Sequence, residues 1–269
     1  RKPRAYGGVA PREFTDFLLR ALEPIVRNLA PGGSLALNVS PDSFMEGSPA
    51  RSLLIEEVTL AICRQLDLHL MDRVVWANPS RPPGPVRWAS ISRQQLCATY
   101  EYVLWFTNDP HACFADNRRV LLPHTERHKA LMAAGGETRR TSYGDGAHRL
   151  RPGSFGRETE GRIPRNVLSF THHGGVHAER RRAAIAAGLP AHGACMPLGL
   201  ARFLVEFMTR KGDLVVDCFG GWLTSALAAE QTGRRWIATE MMGEYIMGAA
   251  HPFRTAEGFA ANFSMEAAR

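Results

Sequence analysis

The stretch VVDCFGGWLTSALAAE, Val215 to Glu230, constrains the fold more than any other part of this sequence. A β-branched run ends in an acidic residue, two adjacent glycines follow, and an alanine-rich run opens at Thr224. Branched side chains favour a strand, and the alanine-rich run favours a helix. Gly220 and Gly221 permit the sharp reversal between them and let another group approach the backbone. A second strand, Arg235 to Thr239, then ends at Glu240. Strand, glycine turn, helix, strand and acid is the order of a nucleotide-type ligand unit, in which ligands lie beyond the carboxyl ends of the strands. Glu240 can accept hydrogen bonds from a ribose diol at that edge. The plainer alternative is a tight turn capped by Asp217, with Glu240 solvated.

The turn makes a poor phosphate loop, because no lysine followed by Ser or Thr closes it. Asp217 beside it repels phosphates. A nucleoside-like cofactor without a phosphate chain suits these charges better.

The rest of the chain continues the alternation. Pro11 to Leu29 carries Phe14, Phe17, Leu18, Leu22 and Ile25 at helical spacing, and Pro31, Gly32 and Gly33 stop it before a strand at Ser34 to Val39. A helix over Pro49 to Leu68 and a strand over Asp72 to Trp76 follow, and this rhythm predicts an α/β domain with helices covering a mostly parallel sheet. Ala77 to Ser90 is rich in proline, serine and arginine and reads as an ordered loop. Tyr100 to Phe106 is an aromatic, β-branched strand. Asn108 to Asn166 concentrates His, Arg, Gly and Asp, which marks a recognition region or insertion. A basic helix at His177 to Ala187, a helix at Leu198 to Thr209 and a strand at Asp213 to Val216 lead into the glycine turn.

With 269 residues, one catalytic-sized domain with a substantial insertion is expected. The net charge of +7 points to a polyanionic partner, nucleic acid first. Five scattered cysteines without metal-ligand spacing, and no secretory signal, fit a reducing cytoplasm. No apolar stretch is long enough to cross a bilayer.

At these motifs the chain resembles the permuted β class of S-adenosylmethionine-dependent DNA amino methyltransferases, which modify adenine N6 or cytosine N4. The family's cofactor segment, Asp-Pro-Phe-x-Gly-Ser-Gly-Thr, is matched by Asp217, Phe219, Gly221 and Thr224, with Gly220 at the variable place. Cys218, Trp222 and Leu223 depart from it. The resemblance assigns ribose binding to Glu240, an aromatic closing position to Tyr245, and the methionine end of the cofactor to the segment holding His192, Ala194 and Met196. It extends to GGSLALNVS, DRVVWANPS and YEYVLWFT, and the cofactor turn near the carboxyl end marks the permuted order. The implied fold is a Rossmann-like three-layer sandwich with an inserted DNA-recognition region. Residues 1–107 and 189–269 form the two halves of its methyltransferase domain, and 108–188 forms the recognition insertion and connector.

The resemblance implies S-adenosylmethionine as cofactor and double-stranded DNA as substrate, with adenine N6 as the target and cytosine N4 as the alternative. A second copy or a partner subunit is left open. The family's Asp, Ser or Asn followed by Pro-Pro and an aromatic, which holds the target amino group, is absent from these residues. Tyr6-Gly7-Gly8 is no substitute, and Asn78-Pro79-Ser80 follows the wrong strand and lacks the aromatic. That absence, and bulky Trp222 where the family has a small residue and the cofactor's methionine part needs room, motivate a competing reading. In it, the scaffold is kept by a catalytically inactive nucleic-acid-binding or partner-binding protein. An unrelated dinucleotide enzyme is disfavoured, because its glycine unit belongs earlier in the chain.

Arg81, Arg87, Arg93, Arg118, Arg119 and Arg149 place positive charge in loops suited to phosphate contacts, with Trp88 the best exposed aromatic among them. Direct transfer to an amino nitrogen needs no thiol, so Cys195 and Cys218 read as core residues. His172, His173 and His177 lack a companion ligand at metal spacing, and no metal is expected.

Overall fold

The computed structural model describes residues 9, 11–171, 175–193 and 195–260. Tyr6 to Gly8 lie outside them, as do His172, His173 and Ala194. The described chain divides into two compact units, one formed by 1–115 with 166–269 and the other by 116–165.

In the first unit, helix α1 (Pro11–Val26) leads to strand β1 (Ser34–Val39), helix α2 (Leu54–Gln65), strand β2 (His69–Ala77) and strand β3 (Tyr100–Thr107). Strand β6 (Val167–Ser169) completes a four-stranded sheet in the order β1-β3-β2-β6. The expectation of a mostly parallel sheet is corrected here: β3 runs antiparallel to both β1 and β2, and the β2–β6 pair is parallel. Between β2 and β3 the chain reverses through the 78–99 loop rather than crossing over by a helix, and a reversal returns the next strand antiparallel. That loop also contains a π-helical turn at Val86–Ile91, where the proline-rich sequence suggested no regular element.

Strand β3 organises the core because its residues alternate between the two faces of the sheet. Leu104 and Phe106 pack with Leu18 and Leu22 of α1 and Val58 and Ile62 of α2. Val103 faces the other way, among Val74, Trp76, Leu168 and the Leu200, Leu204 and Met208 side chains of helix α5 (Leu198–Met208). Burial on both faces explains why YEYVLWFT is nearly continuous in large apolar side chains. Helix α2 is shorter than Pro49 to Leu68 because residues before Leu54 form a local bridge, Phe44 to Arg51, instead of a helical turn.

The turn before β1 is held from β3's far end. Gly32 has φ +74, and a Cβ there would sit 2.0 Å from the Ala112 carbonyl oxygen, so glycine is required. Asn108 Oδ1 accepts from Gly32 N at 2.9 Å, while its Nδ2 donates to the Leu29 and Ala30 carbonyls. Asn108→Ala removes all three contacts and is expected to lower stability by about 1–3 kcal/mol in urea unfolding. An unchanged unfolding midpoint would show that solvent replaces them.

Strands β7 (Leu214–Asp217) and β8 (Arg235–Ala238) form a separate parallel pair with helix α6 (Thr224–Gln231) between them in sequence. Small residues let α5 and α6 approach closely, with Ala201 and Val205 against Ala228 and Val215. Helices α4 (Gly175–Ala186) and α7 (Gly243–Ala249) enclose a further cluster of Ala184, Trp222, Leu223, Ala226, Leu227, Ala249 and Phe253.

The second unit holds a short 3-10 turn (Asn117–Val120), helix α3 (Glu126–Ala133) and a hairpin of β4 (Thr141–Tyr143) and β5 (His148–Leu150). A bridge between Leu122 and Arg162 ties its ends. Among the described residues, no helix is long and apolar enough to cross a membrane.

Candidate functional site

Parallel pairing of Asp217 with Ala238 brings the ends of β7 and β8 to one edge, so the glycine turn and Glu240 meet. The turn is closed by backbone and acid together. Gly220 N donates to the Thr239 carbonyl at 2.8 Å, Phe219 N to Asp217 Oδ1 at 3.0 Å, and Leu223 N to the Gly220 carbonyl at 2.6 Å. Glu240 Oε2 accepts from Gly221 N at 2.8 Å and Oε1 from Met242 N at 2.9 Å. A carboxylate has room for about four hydrogen bonds, so two acceptor positions are left for a diol. The alternative of a merely solvated Glu240 does not describe this clamp.

Gly221 adopts φ +49, and a Cβ on it would lie 3.3 Å from His192 Nε2. A side chain at this position would fill the space beneath the imidazole. The His192 ring meets Tyr245 edge-on at 4.7 Å between centroids. Burial pushes the His192 pKa down, against a smaller upward pull from Glu240, so the ring is neutral at pH 7. Phe219 is partly exposed and its ring lies 6.4 Å from that of Phe17. Thr224 is buried at the first turn of α6, and Met196 packs against the clusters around α5. Asp217, Phe219, Gly220, Gly221, Glu240, His192 and Tyr245 are thus connected at one edge, whereas Met196 belongs to the core beside it.

Trp222 departs from expectation. Its ring does not stand in the turn; it is buried in the cluster between α4, α6 and α7, with Nε1 3.7 Å from where a Gly248 Cβ would be. The following residue, Leu223, takes a left-handed conformation at φ 52 as helix α6 begins.

Cys195 Sγ lies 3.6 Å from His192 Nδ1 and 3.5 Å from the His192 carbonyl oxygen. Burial raises its thiol to about 11, with Arg180 pulling weakly the other way. Burial and Asp217 also raise Cys218. At pH 8 a thiol titrating near 11 is ionised in about one molecule in a thousand. Iodoacetamide at that pH is therefore expected to label exposed Cys97 and to spare Cys195. Labelling of Cys195 ahead of Cys97 in a peptide map would mean that the thiol is activated after all.

The residues suggested for DNA fall in both units. Arg81, Arg87, Trp88 and Arg93 share the 78–99 loop. Arg81 is tied to Asp42 at 2.8 Å and to Glu101 at 3.6 Å. Trp88 is half-buried rather than the exposed aromatic expected, with the Arg87 guanidinium 4.4 Å over its ring. Arg93 is exposed and has φ 61. In the second unit Arg118 and Arg119 share the 3-10 turn, where Arg118 pairs with Asp116 at 2.6 Å. Arg149 is exposed on β5. The Arg118 guanidinium holds the Asp116 carboxyl down at about 2. Among the described residues no group of three metal-ligating side chains occurs.

One buried group escaped the sequence reading. Arg180 in α4 is 2% exposed although HAERRRAA reads as a basic surface helix. The signal was its spacing: Arg180 and Ala184 stand four residues apart on the same buried helix face.

A parallel strand–turn–helix–strand unit whose acid clamps a glycine turn defines an α/β methyltransferase type of site, and the chain belongs to the N6/N4 DNA methylase family, whose model matches residues 8–251. Among individual proteins it is similar to the type II methyltransferase M.PvuII of Proteus hauseri, at 28% identity over 253 residues, covering 94% of this chain and 74% of that protein. It also matches the type II methyltransferase M.BglI of Bacillus subtilis at 44% identity over 55 residues, 20% of this chain and 16% of that one. The solved PvuII DNA methyltransferase (cytosine-N4-specific) superposes with a TM-score of 0.70 at 25% identity, covering 98% of this chain and 77% of that one. A DNA modification methylase of Thermus thermophilus, solved with S-adenosyl-L-methionine, shares the fold with a TM-score of 0.53 at 21% identity, over 92% and 80% of the two chains.

Proposed function

We propose that this chain transfers a methyl group from S-adenosylmethionine to the exocyclic N4 of cytosine in double-stranded DNA. The observation that carries the reading is the Glu240 carboxylate, bound to the backbone of the Gly221 turn with acceptor positions left for a ribose. Family membership supports DNA amino-group methylation, and the cytosine-N4-specific relative with the same fold over nearly the whole chain favours cytosine over adenine N6. Adenine remains the second reading because the family spans both bases.

Glu240 holds the ribose, Gly221 allows the cofactor to lie against the backbone, and the His192–Tyr245 pair walls the same edge. When bound, the cofactor supplies an electrophilic methyl group. The neutral His192 ring places no cation against the sulfonium, which keeps that positive charge from being repelled. The target base has to leave the duplex for its amino nitrogen to be reached. Arg87, Arg93, Arg118, Arg119 and Arg149, with Trp88, are the proposed contacts to the DNA backbone, Arg81 positioning its loop through Asp42. Residues 108–188 are the proposed recognition insertion and connector, a reading supported by the compact 116–165 unit lying within them.

Incubation with unmethylated DNA and labelled S-adenosylmethionine, followed by nucleoside analysis, tests the assignment. N4-methylcytosine is the expected product. N6-methyladenine would replace the first reading by the second, and no transfer by a folded protein that binds the cofactor would sink both.

A further inference from the structure

Two buried arginines flank the α5–α6 region, and they differ in how their donors are met. Arg234 directs its guanidinium to the Thr209 hydroxyl and to the Thr209 and Thr232 carbonyls. Arg180 donates Nη2 to the Trp222 carbonyl, while its Nε and Nη1, sealed from solvent, have no hydrogen-bond partner among the described residues. The Trp222 indole Nε1 is likewise buried without a partner, and the Arg180 guanidinium stands 5.4 Å over that ring. Burial pushes the Arg180 pKa down, and Cys195 is the titratable group that opposes it. Donors left over in one buried cluster call for a group that only accepts, and an ionised carboxylate is such a group.

The location specifies which carboxylate. Trp222 directly follows Gly221, whose N–H is clamped by Glu240, so the ribose end and the unmatched donors lie at successive residues of one turn. Resting on the cofactor reading above, we infer that Arg180, assisted by the Trp222 indole N–H, receives the amino-acid carboxylate of S-adenosylmethionine. Glu240 then holds one end of the cofactor and Arg180 the other. Because the donors are sealed, entry of the carboxylate requires the 220–223 turn to open against α4. The competing role for Arg180 is support of the Trp222 carbonyl alone.

Calorimetry on the full chain with three ligands separates these roles: S-adenosylmethionine, its decarboxylated analogue, and 5′-methylthioadenosine, which lacks the amino-acid arm. The wild type is expected to prefer S-adenosylmethionine over the decarboxylated analogue by roughly 30-fold, the scale of one charge-assisted contact. Arg180→Met should bring that ratio near one and leave methylthioadenosine unchanged, and Arg180→Lys should restore part of it. Trp222→Phe, which keeps the ring and removes the N–H, should lower the ratio less and gives a second route if Arg180→Met does not fold. Equal weakening of all three ligands by Arg180→Met, or a wild type without preference for the carboxylate, overturns the inference while leaving the cofactor reading intact. Failure of the folded wild type to bind any of the three overturns both.

Discussion

Glu240→Ala is expected to weaken S-adenosylmethionine binding by roughly 30- to 1,000-fold, corresponding to about 2–4 kcal/mol for loss of charge-assisted hydrogen bonds to the ribose. The side chain has two tasks. It accepts from Gly221 N and Met242 N, so it shapes the turn, and it keeps acceptor positions for the diol. Glu240→Gln separates them, because the amide retains one acceptor oxygen and loses the charge. An intermediate affinity is expected for it. Isothermal calorimetry measures both variants, and circular dichroism checks that the fold persists. Binding by Glu240→Ala at the wild-type level would remove the observation on which the functional reading stands.

Phe106→Ala is expected to destabilise the chain by about 3–5 kcal/mol, the usual cost of deleting a fully buried aromatic. Phe106 is 0% exposed on the central strand and packs among α1, α2 and Leu70. Whole-domain stabilities are commonly about 5–15 kcal/mol, so this one change can consume much of the margin. Thermal and urea unfolding give the loss directly. A change below about 1 kcal/mol would mean that the α1–α2 layer collapses into the cavity with little strain. The two substitutions make opposite demands: the first removes the site and spares the fold, the second spares every site residue and endangers the fold.

The elements were legible where local chemistry is unambiguous. Ser34 to Val39, Tyr100 to Phe106 and Leu198 to Thr209 match their observed strands and helix to within a residue. Strand direction was not legible, because YEYVLWFT reads the same whether it runs with its neighbours or against them. The chain reversal through residues 78–99 decides it. For the site, Asp217 to Gly221 and Glu240 could be found from spacing alone. Trp222 misled, since its size is visible in sequence and the direction of its ring is not.

By itself the sequence determined the strand–turn–helix order, the residues able to bend at Gly220 and Gly221, and the acid that a nucleoside would need. These follow from dihedral freedom and side-chain chemistry, which each residue carries with it. Tertiary structure alone decided that Glu240 clamps Gly221 across 19 residues, that the Trp222 ring enters the core, and that one arginine of a basic helix is sealed beside the turn. Those outcomes depend on which helix faces are covered. Burial converts an ordinary arginine into an unsatisfied donor, a property that exists only once α4, α6 and α7 have packed around it.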